Sequence, residues 1–191
     1  GYLNVRNELR ADTTEVEKQH VLQFALPSIS SPVLVRNVFY EFDKATLTNN
    51  SCEALDRLTK MLKENPNVTI ELSAHCDYRG NAAYNLKLSQ RRAESVVRYL
   101  TEHGIAADRL TAKGYGKEVP KIVNKRLTET YPFLHTGDTL TVPYILKLPK
   151  ELQEVCNALN RRTEFRVLRT TYGLFDENGN LKPEALRKPD E

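Results

Sequence analysis

The stretch Ile70–Leu100, IELSAHCDYRGNAAYNLKLSQRRAESVVRYL, carries two periodicities joined by a short loop. Its first part has a period of two. Val68, Ile70, Leu72 and Ala74 share one face and Thr69, Glu71 and Ser73 the other, which predicts a strand with one buried face. The loop His75–Asn81 follows, and Gly80 supplies backbone freedom just ahead of a helix start. Counting about 100° per residue from Asn85, residues Ala82, Leu86, Ala93, Val97 and Leu100 fall between about 60° and 120°, which predicts them as the core face of an amphipathic helix.

On the same helix Asn85, Ser89 and Arg92 fall within about 60° of one another, beside the apolar stripe. An amide, a hydroxyl and a guanidinium then line one edge. Asp77 lies in the loop at the strand's C-terminal end, so a carboxylate and a guanidinium face a common gap. Such a gap suits a zwitterion, its ammonium on Asp77 and its carboxylate in the fork of Arg92. The plainer reading is a surface pair, Asp77 with Arg92, or a solvated Arg92.

The flanking sequence supplies the remaining elements. Val33–Tyr40 is β-branched and aromatic and reads as the first strand. A loop at 42–47 follows, in which Asp43 is either a turn residue or a second partner for an ammonium. Asn50 and Glu53 resemble a capping arrangement opening a helix with Ala54, Leu55, Leu58, Met61 and Leu62 on one face, and Asn65-Pro66-Asn67 ends it. After the central helix, His103-Gly104 gives a stop, Arg109–Lys113 a short strand, and Gly114-x-Gly116 a tight turn that lacks phosphate-loop spacing. Residues 118–148, rich in Pro, Tyr and Thr, form an insert that is either a lid or packed surface structure. Pro149–Asn160 is the third helix, with Leu152, Val155, Cys156 and Leu159 at helical spacing. Thr163–Arg169 is the last strand, and Asp176–Gly179 turns into a charged tail.

The order strand, helix, strand, helix, strand, helix, strand implies an α/β layer fold, a small mixed sheet with helices packed on it and some parallel pairing through right-handed crossovers. A pocket is then expected at the end of the second strand, beside the positive dipole end of the second helix. Residues 1–31 read as the closing strand of a preceding β-rich module, at 21–26, plus the linker Pro27–Pro32. The start Gly1-Tyr2-Leu3-Asn4 reads as mid-domain sequence, so the chain is expected to be a fragment of a longer protein.

At 191 residues, 40% hydrophobic and 28% charged, the chain is long enough for one good core. No apolar run approaches membrane-spanning length. A net charge of +3 without long basic runs gives no sign of a nucleic-acid partner. Cys52, Cys76 and Cys156 are three and cannot all pair, so at most one disulfide forms, and none shows C-x-x-C spacing. His75-Cys76 has no further ligand at metal-site spacing, and no nucleophile stands beside a base, so neither a metal, a cofactor nor a catalytic residue is assigned.

His75-Cys76-Asp77, Gly80, Asn85, Leu88-Ser89, Arg92-Ala93, Val96 and Leu100, with Phe42-Asp43, Gly104-Ile105, Gly114-Tyr115-Gly116 and Asn160–Val167, resemble the OmpA C-terminal-like domain, the peptidoglycan-binding module of outer-membrane proteins, lipoproteins and motor stators. The resemblance covers roughly residues 34–170. It implies a domain at 32–170 with the insert 118–148, between the 1–31 segment and a 171–191 tail. It also implies a periplasmic, outer-membrane-associated, non-enzymatic anchor that grips the meso-diaminopimelate of the stem peptide. Asp77 and Arg92 take the clamp positions and Asn85 assists, with Ser89, Cys76 and Asp43 bordering the site.

Cys76 replaces the family's usual threonine, so a hydroxyl contact is lost while backbone donation is expected to survive. A periplasmic setting makes Cys52–Cys156 the disulfide to test, with free cysteines equally open. The insert is similar to those of Bacteroidetes members, and the chain resembles a PorE-like component of the type IX secretion apparatus, with outer-membrane or secretion proteins as further partners. Two alternatives stay open: an envelope protein-interaction module without wall binding, and a cell-wall hydrolase.

Overall fold

The structure, a computed structural model, describes residue 3, residues 31–41 and residues 43–183. The strand expected at 21–26, most of the linker after it, Phe42 and the end of the tail lie outside the described residues. The elements are β1 (Val33–Leu34), α1 (Cys52–Glu64), β2 (Thr69–His75), α2 (Ala82–Glu102), β3 (Leu110–Gly116), α3 (Lys125–Thr130), α4 (Val142–Ile145), α5 (Lys150–Asn160) and β4 (Thr163–Arg169). The sheet order is β1-β4-β2-β3, with β2 parallel to β3 and β4 antiparallel to both β1 and β2. This is the expected α/β layer fold with a small mixed sheet, its one parallel pair joined by the α2 crossover.

β2 is buried along its whole length, which corrects the expectation of a single buried face. Ile70 and Leu72 enter the apolar core with Leu55, Leu58 and Leu62 of α1, Val96 and Leu100 of α2, and Leu3. The opposite face is buried under paired charge. Glu71 accepts hydrogen bonds from Arg166 at 3.0 Å and from the Tyr115 hydroxyl at 2.9 Å. Glu164 of β4 is paired with Lys121 at 2.6 Å and Arg162 at 3.1 Å. His75 stacks on Tyr115 and lies 3.7 Å from Glu164. Each buried carboxylate has a cation, which the cost of an uncompensated charge in a dry interior requires.

α1 follows a 3₁₀ turn at Asn49–Ser51, and the Asn50–Glu53 capping arrangement is not formed. Ser51 sits at the cap position, but its Oγ serves the chain elsewhere, accepting from Phe39 N and donating to Phe39 O, both at 2.8 Å. β1 is shorter than the expected 33–40, because the backbone turns left-handed at Asn37 (φ 61°) and the chain rejoins only as a Tyr40–Leu47 bridge.

α2 is capped by Asn81, whose side chain accepts from Tyr84 N at 3.1 Å, and it ends at His103 with Gly104 at φ 88°. Its buried residues are Asn85, Leu88, Ser89, Ala93, Val96 and Leu100, while Ala82 and Leu86 are exposed. The buried face is therefore rotated by about 60° from the apolar stripe. Two polar residues do this. Ser89 Oγ accepts from Gly116 N at 2.8 Å, and Asn85 Nδ2 donates to Arg79 O at 2.7 Å.

Gly114-x-Gly116 is the end of β3 rather than a tight turn. A Cβ on Gly114 would lie 2.2 Å from Gln90 N, so glycine permits the backbones of α2 and β3 to touch. Gln90 Oε1 accepts from Gly114 N at 2.7 Å, and its Nε2 donates to Ala112 O at 3.3 Å. Arg109, expected in the strand, precedes it. Its buried guanidinium donates to the carbonyls of Leu62, Asn65 and Val68.

The 118–148 insert is packed around its own core of Val123, Leu134, Leu140 and Ile145, closed by Cys156 of α5. Cys156 is thus buried in this second core while Cys52 is exposed on α1. The three cysteines are free, so of the two alternatives left open the Cys52–Cys156 pair is not formed. The tail starts packed, with Tyr172 N donating to Asn67 O and its hydroxyl to Asp108.

Replacing Gly114 by Ala should destabilise the fold by about 3 kcal/mol or more in urea denaturation, since helix backbone blocks the added methyl. Burial, with Arg162 adding to it, pushes the His75 imidazole down to about 4, so the folded protein keeps it neutral. Between about pH 6.5 and 4 the unfolded chain binds a proton that the folded chain refuses, so stability falls as pH drops through that window, by up to about 3 kcal/mol. Replacing His75 by Asn should flatten that part of the stability–pH curve.

Candidate functional site

A groove of about 910 Å³ lies at the C-terminal end of β2. Its walls are the 76–80 loop, the first half of α2, the segment around residues 38–43, and the junction of α5 with β4. β2 delivers Asp77 to one side, and α2 carries Asn85 and Arg92 along another. Cys76 and Asp43 also line the groove. Ser89 does not: it is fully buried and spent on Gly116.

Asp77 and Arg92 do not pair with each other. Asp77 Oδ1 accepts from Arg79 N at 3.0 Å, closing a local turn. Its Oδ2 accepts from Arg79 Nη2 at 2.6 Å, Arg79 Nε at 3.1 Å and Arg161 Nη1 at 2.6 Å. Both guanidiniums also donate to Glu154 of α5, Arg79 at 3.0 Å and Arg161 at 2.8 Å. Burial pushes the Asp77 carboxyl up, but the bonds from Arg79 and Arg161 outweigh it and hold it below its ordinary value.

Arg92 stands apart from that lattice. Its guanidinium lies 4.9 Å from the Tyr40 ring centre, and Nε donates to Lys44 O at 3.0 Å. Among the described residues no carboxylate pairs with it. The Tyr40 hydroxyl is in contact with Thr163 at 3.1 Å, and burial pushes its pKa up to about 12, so the ring stays neutral.

Asn85 is a brace for the loop, donating to the carbonyls of Arg79 and Asp77. The Cys76 N–H donates to Gly116 O at 2.7 Å, so the backbone donation expected of it toward a ligand is already committed. Its thiol is buried, 3.6 Å from Asn85 O. Asp43 is a left-handed turn residue (φ 56°) that accepts from the Tyr84 hydroxyl at 2.7 Å.

Arg79, Arg161, Glu154, Tyr40 and Tyr84 are site residues that the sequence reading did not single out. Arg79 stands two residues from Asp77, and Arg161 falls inside the Asn160–Val167 motif. Nothing local shows that both reach one carboxylate. In charge, Asp77 and Glu154 balance Arg79 and Arg161, which leaves Arg92 as the cation offered to an anionic ligand group. Among the described residues no helix is long and apolar enough to cross a membrane.

Comparison with known proteins bears on the stretch that builds this groove. Residues 39–130 match the model of the OmpA family. The chain is 39% identical over 84 residues to outer membrane porin F of Pseudomonas fluorescens, covering 44% of this chain and 26% of the relative. It is 36% identical over 99 residues to outer membrane protein A of Bordetella avium (52% and 51%), and 35% identical over 86 residues to the peptidoglycan-associated lipoprotein of Rhizobium meliloti (45% and 49%). The chain thus spans between about a quarter and a half of the length of these relatives.

A solved MotB-like protein of Desulfovibrio vulgaris shares the fold at TM-score 0.50 and 22% identity, covering 74% of both chains. The peptidoglycan-associated lipoprotein of Burkholderia pseudomallei superposes at 0.49 and 26% identity, over 69% of this chain and 88% of that one. The matched stretch holds β2, the Asp77 loop and α2 with Arg92, so the segment that carries Asp77 and Arg92 is the part of this chain that is similar to the OmpA family and to these relatives.

Proposed function

We propose that the groove binds peptidoglycan without covalent chemistry, taking the free amino-acid end of meso-diaminopimelate in the stem peptide, and so anchors a periplasmic, outer-membrane-associated protein to the cell wall. The observation that carries this reading is one groove holding Arg92, a cation with no acid partner among the described residues, and a carboxylate, Asp77, beside the positive end of α2. A zwitterion's carboxylate is received by Arg92, and its ammonium by Asp77. The name of the Rhizobium meliloti relative, a peptidoglycan-associated lipoprotein, supports the same ligand class. Each charge-assisted bond contributes roughly 1.5 to 3 kcal/mol net, so after the cost of association the single-site affinity is about micromolar or weaker. A polymer with many copies of the ligand raises retention through avidity. We extend the reading to a PorE-like anchor of the type IX secretion machine, in which the packed 118–148 insert contacts other components.

A second reading is an envelope protein-interaction module without wall binding. It is favoured by one observation: Asp77 is already satisfied by Arg79 and Arg161.

Co-sedimentation with purified diaminopimelate-type sacculi tests the two. The native protein should pellet with the sacculi, and Arg92→Ala and Asp77→Ala, folded by circular dichroism, should each bind about tenfold or more weakly. A native protein that stays in the supernatant would rule out wall anchoring and favour the interaction module.

A further inference from the structure

Asp77 Oδ2 is full. It receives three N–H donors from two arginines, and a carboxylate oxygen has room for about two good ones. An ammonium that pairs with Oδ2 therefore has to take a place that is occupied, while Oδ1, accepting from Arg79 N, keeps one site. The two arginines differ in how easily they leave: the Arg79 side chain is 52% exposed and the Arg161 side chain 37%. Arg161 is rooted at the end of α5. Arg79 sits in the loop, and its backbone N–H bond to Asp77 Oδ1 is independent of where its side chain lies. Both have a second carboxylate in reach, because Glu154 accepts from Arg79 Nη1 and Arg161 Nη2.

We propose that the Arg79 guanidinium is a built-in stand-in for the ligand's ammonium: it holds Asp77 Oδ2 in the empty groove and is exchanged for that ammonium on binding, keeping the bond it already makes to Glu154. The proposal rests on the wall-binding reading above and adds to it a displaceable plug and a receiver. Exchange of one cation for another keeps Asp77 compensated throughout, so a buried carboxylate never stands alone. The half-exposed guanidinium goes to Glu154 and water at little cost. Selectivity follows, because a ligand with a carboxylate and no ammonium engages Arg92 but cannot release Arg79. Glu154 is here a positioning residue that touches no ligand.

The two substitutions have opposite signs. Arg79→Ala removes the competitor and should tighten binding of a soluble meso-diaminopimelate muropeptide by up to about fivefold, the worth of a partly exposed ion pair. Glu154→Gln removes the receiver's charge and should weaken binding by about two- to threefold, since the released arginine then has only a neutral amide oxygen and water. A purely structural role for this lattice would weaken binding in both. Isothermal titration of the full chain with that muropeptide, beside Arg92→Ala, separates the outcomes. Tighter Arg79→Ala with weaker Glu154→Gln supports the exchange. Arg79→Ala that binds equally or more weakly, while native protein binds and Arg92→Ala does not, overturns the exchange and leaves wall binding standing. No heat with any protein overturns both. Both substituted side chains are about half exposed, so the fold should tolerate them, and melting curves check this.

Discussion

Everything in this domain depends on a strand that is buried on both faces. β2 spends one face on aliphatic packing against α1 and α2, and the other on Glu71, Ser73 and His75. A polar face can be buried only if every charge is met. β4 supplies Glu164 and Arg166, the loop before β4 supplies Arg162, and the insert supplies Lys121. The insert is therefore fastened to the sheet by the same ion pairs that make the central strand possible. Its own small core, closed by Cys156, does the rest.

The second constraint is the contact between α2 and β3. Glycine at 114 lets the helix backbone descend onto the strand, and Ser89 and Asn85 lock it there through Gly116 N and Arg79 O. That contact sets the rotation of α2, and the rotation sets where Arg92 points. Arg92 ends up over Tyr40 and within the groove that β2 opens with Asp77. The geometry of the groove is thus a by-product of a packing distance.

Much of this was legible in the sequence, and the rest was not for specific reasons. Element order, the ends of α2 and the span of β4 follow from periodicity, caps and glycine, which are local signals. The rotation of α2 was misjudged because counting aliphatic residues ignores buried hydrogen bonds, and Ser89 and Asn85 are inside because they are bonded, not because they are apolar. β2 reads as one-sided because Glu71 looks solvent-facing unless its partner Arg166, nearly a hundred residues away, is in view, and because His75, read as the start of the loop, ends the strand beside Glu164. The Asp77 lattice has the same character. It joins a loop, a helix and the residue after that helix, and no spacing rule connects Arg79 with Arg161.

The side-chain amide of Gln90 has a consequence at the margin of the sheet. A terminal strand offers unpaired N–H and C=O groups on which another chain can add a strand. Along β3, Gln90 covers Gly114 N and Ala112 O while Ser89 covers Gly116 N, so the helix occupies that margin as a neighbouring strand would. At the opposite margin β1 is two residues long, too short to seed a ribbon. Among the described residues, then, neither margin of this sheet offers a long open edge to a second copy.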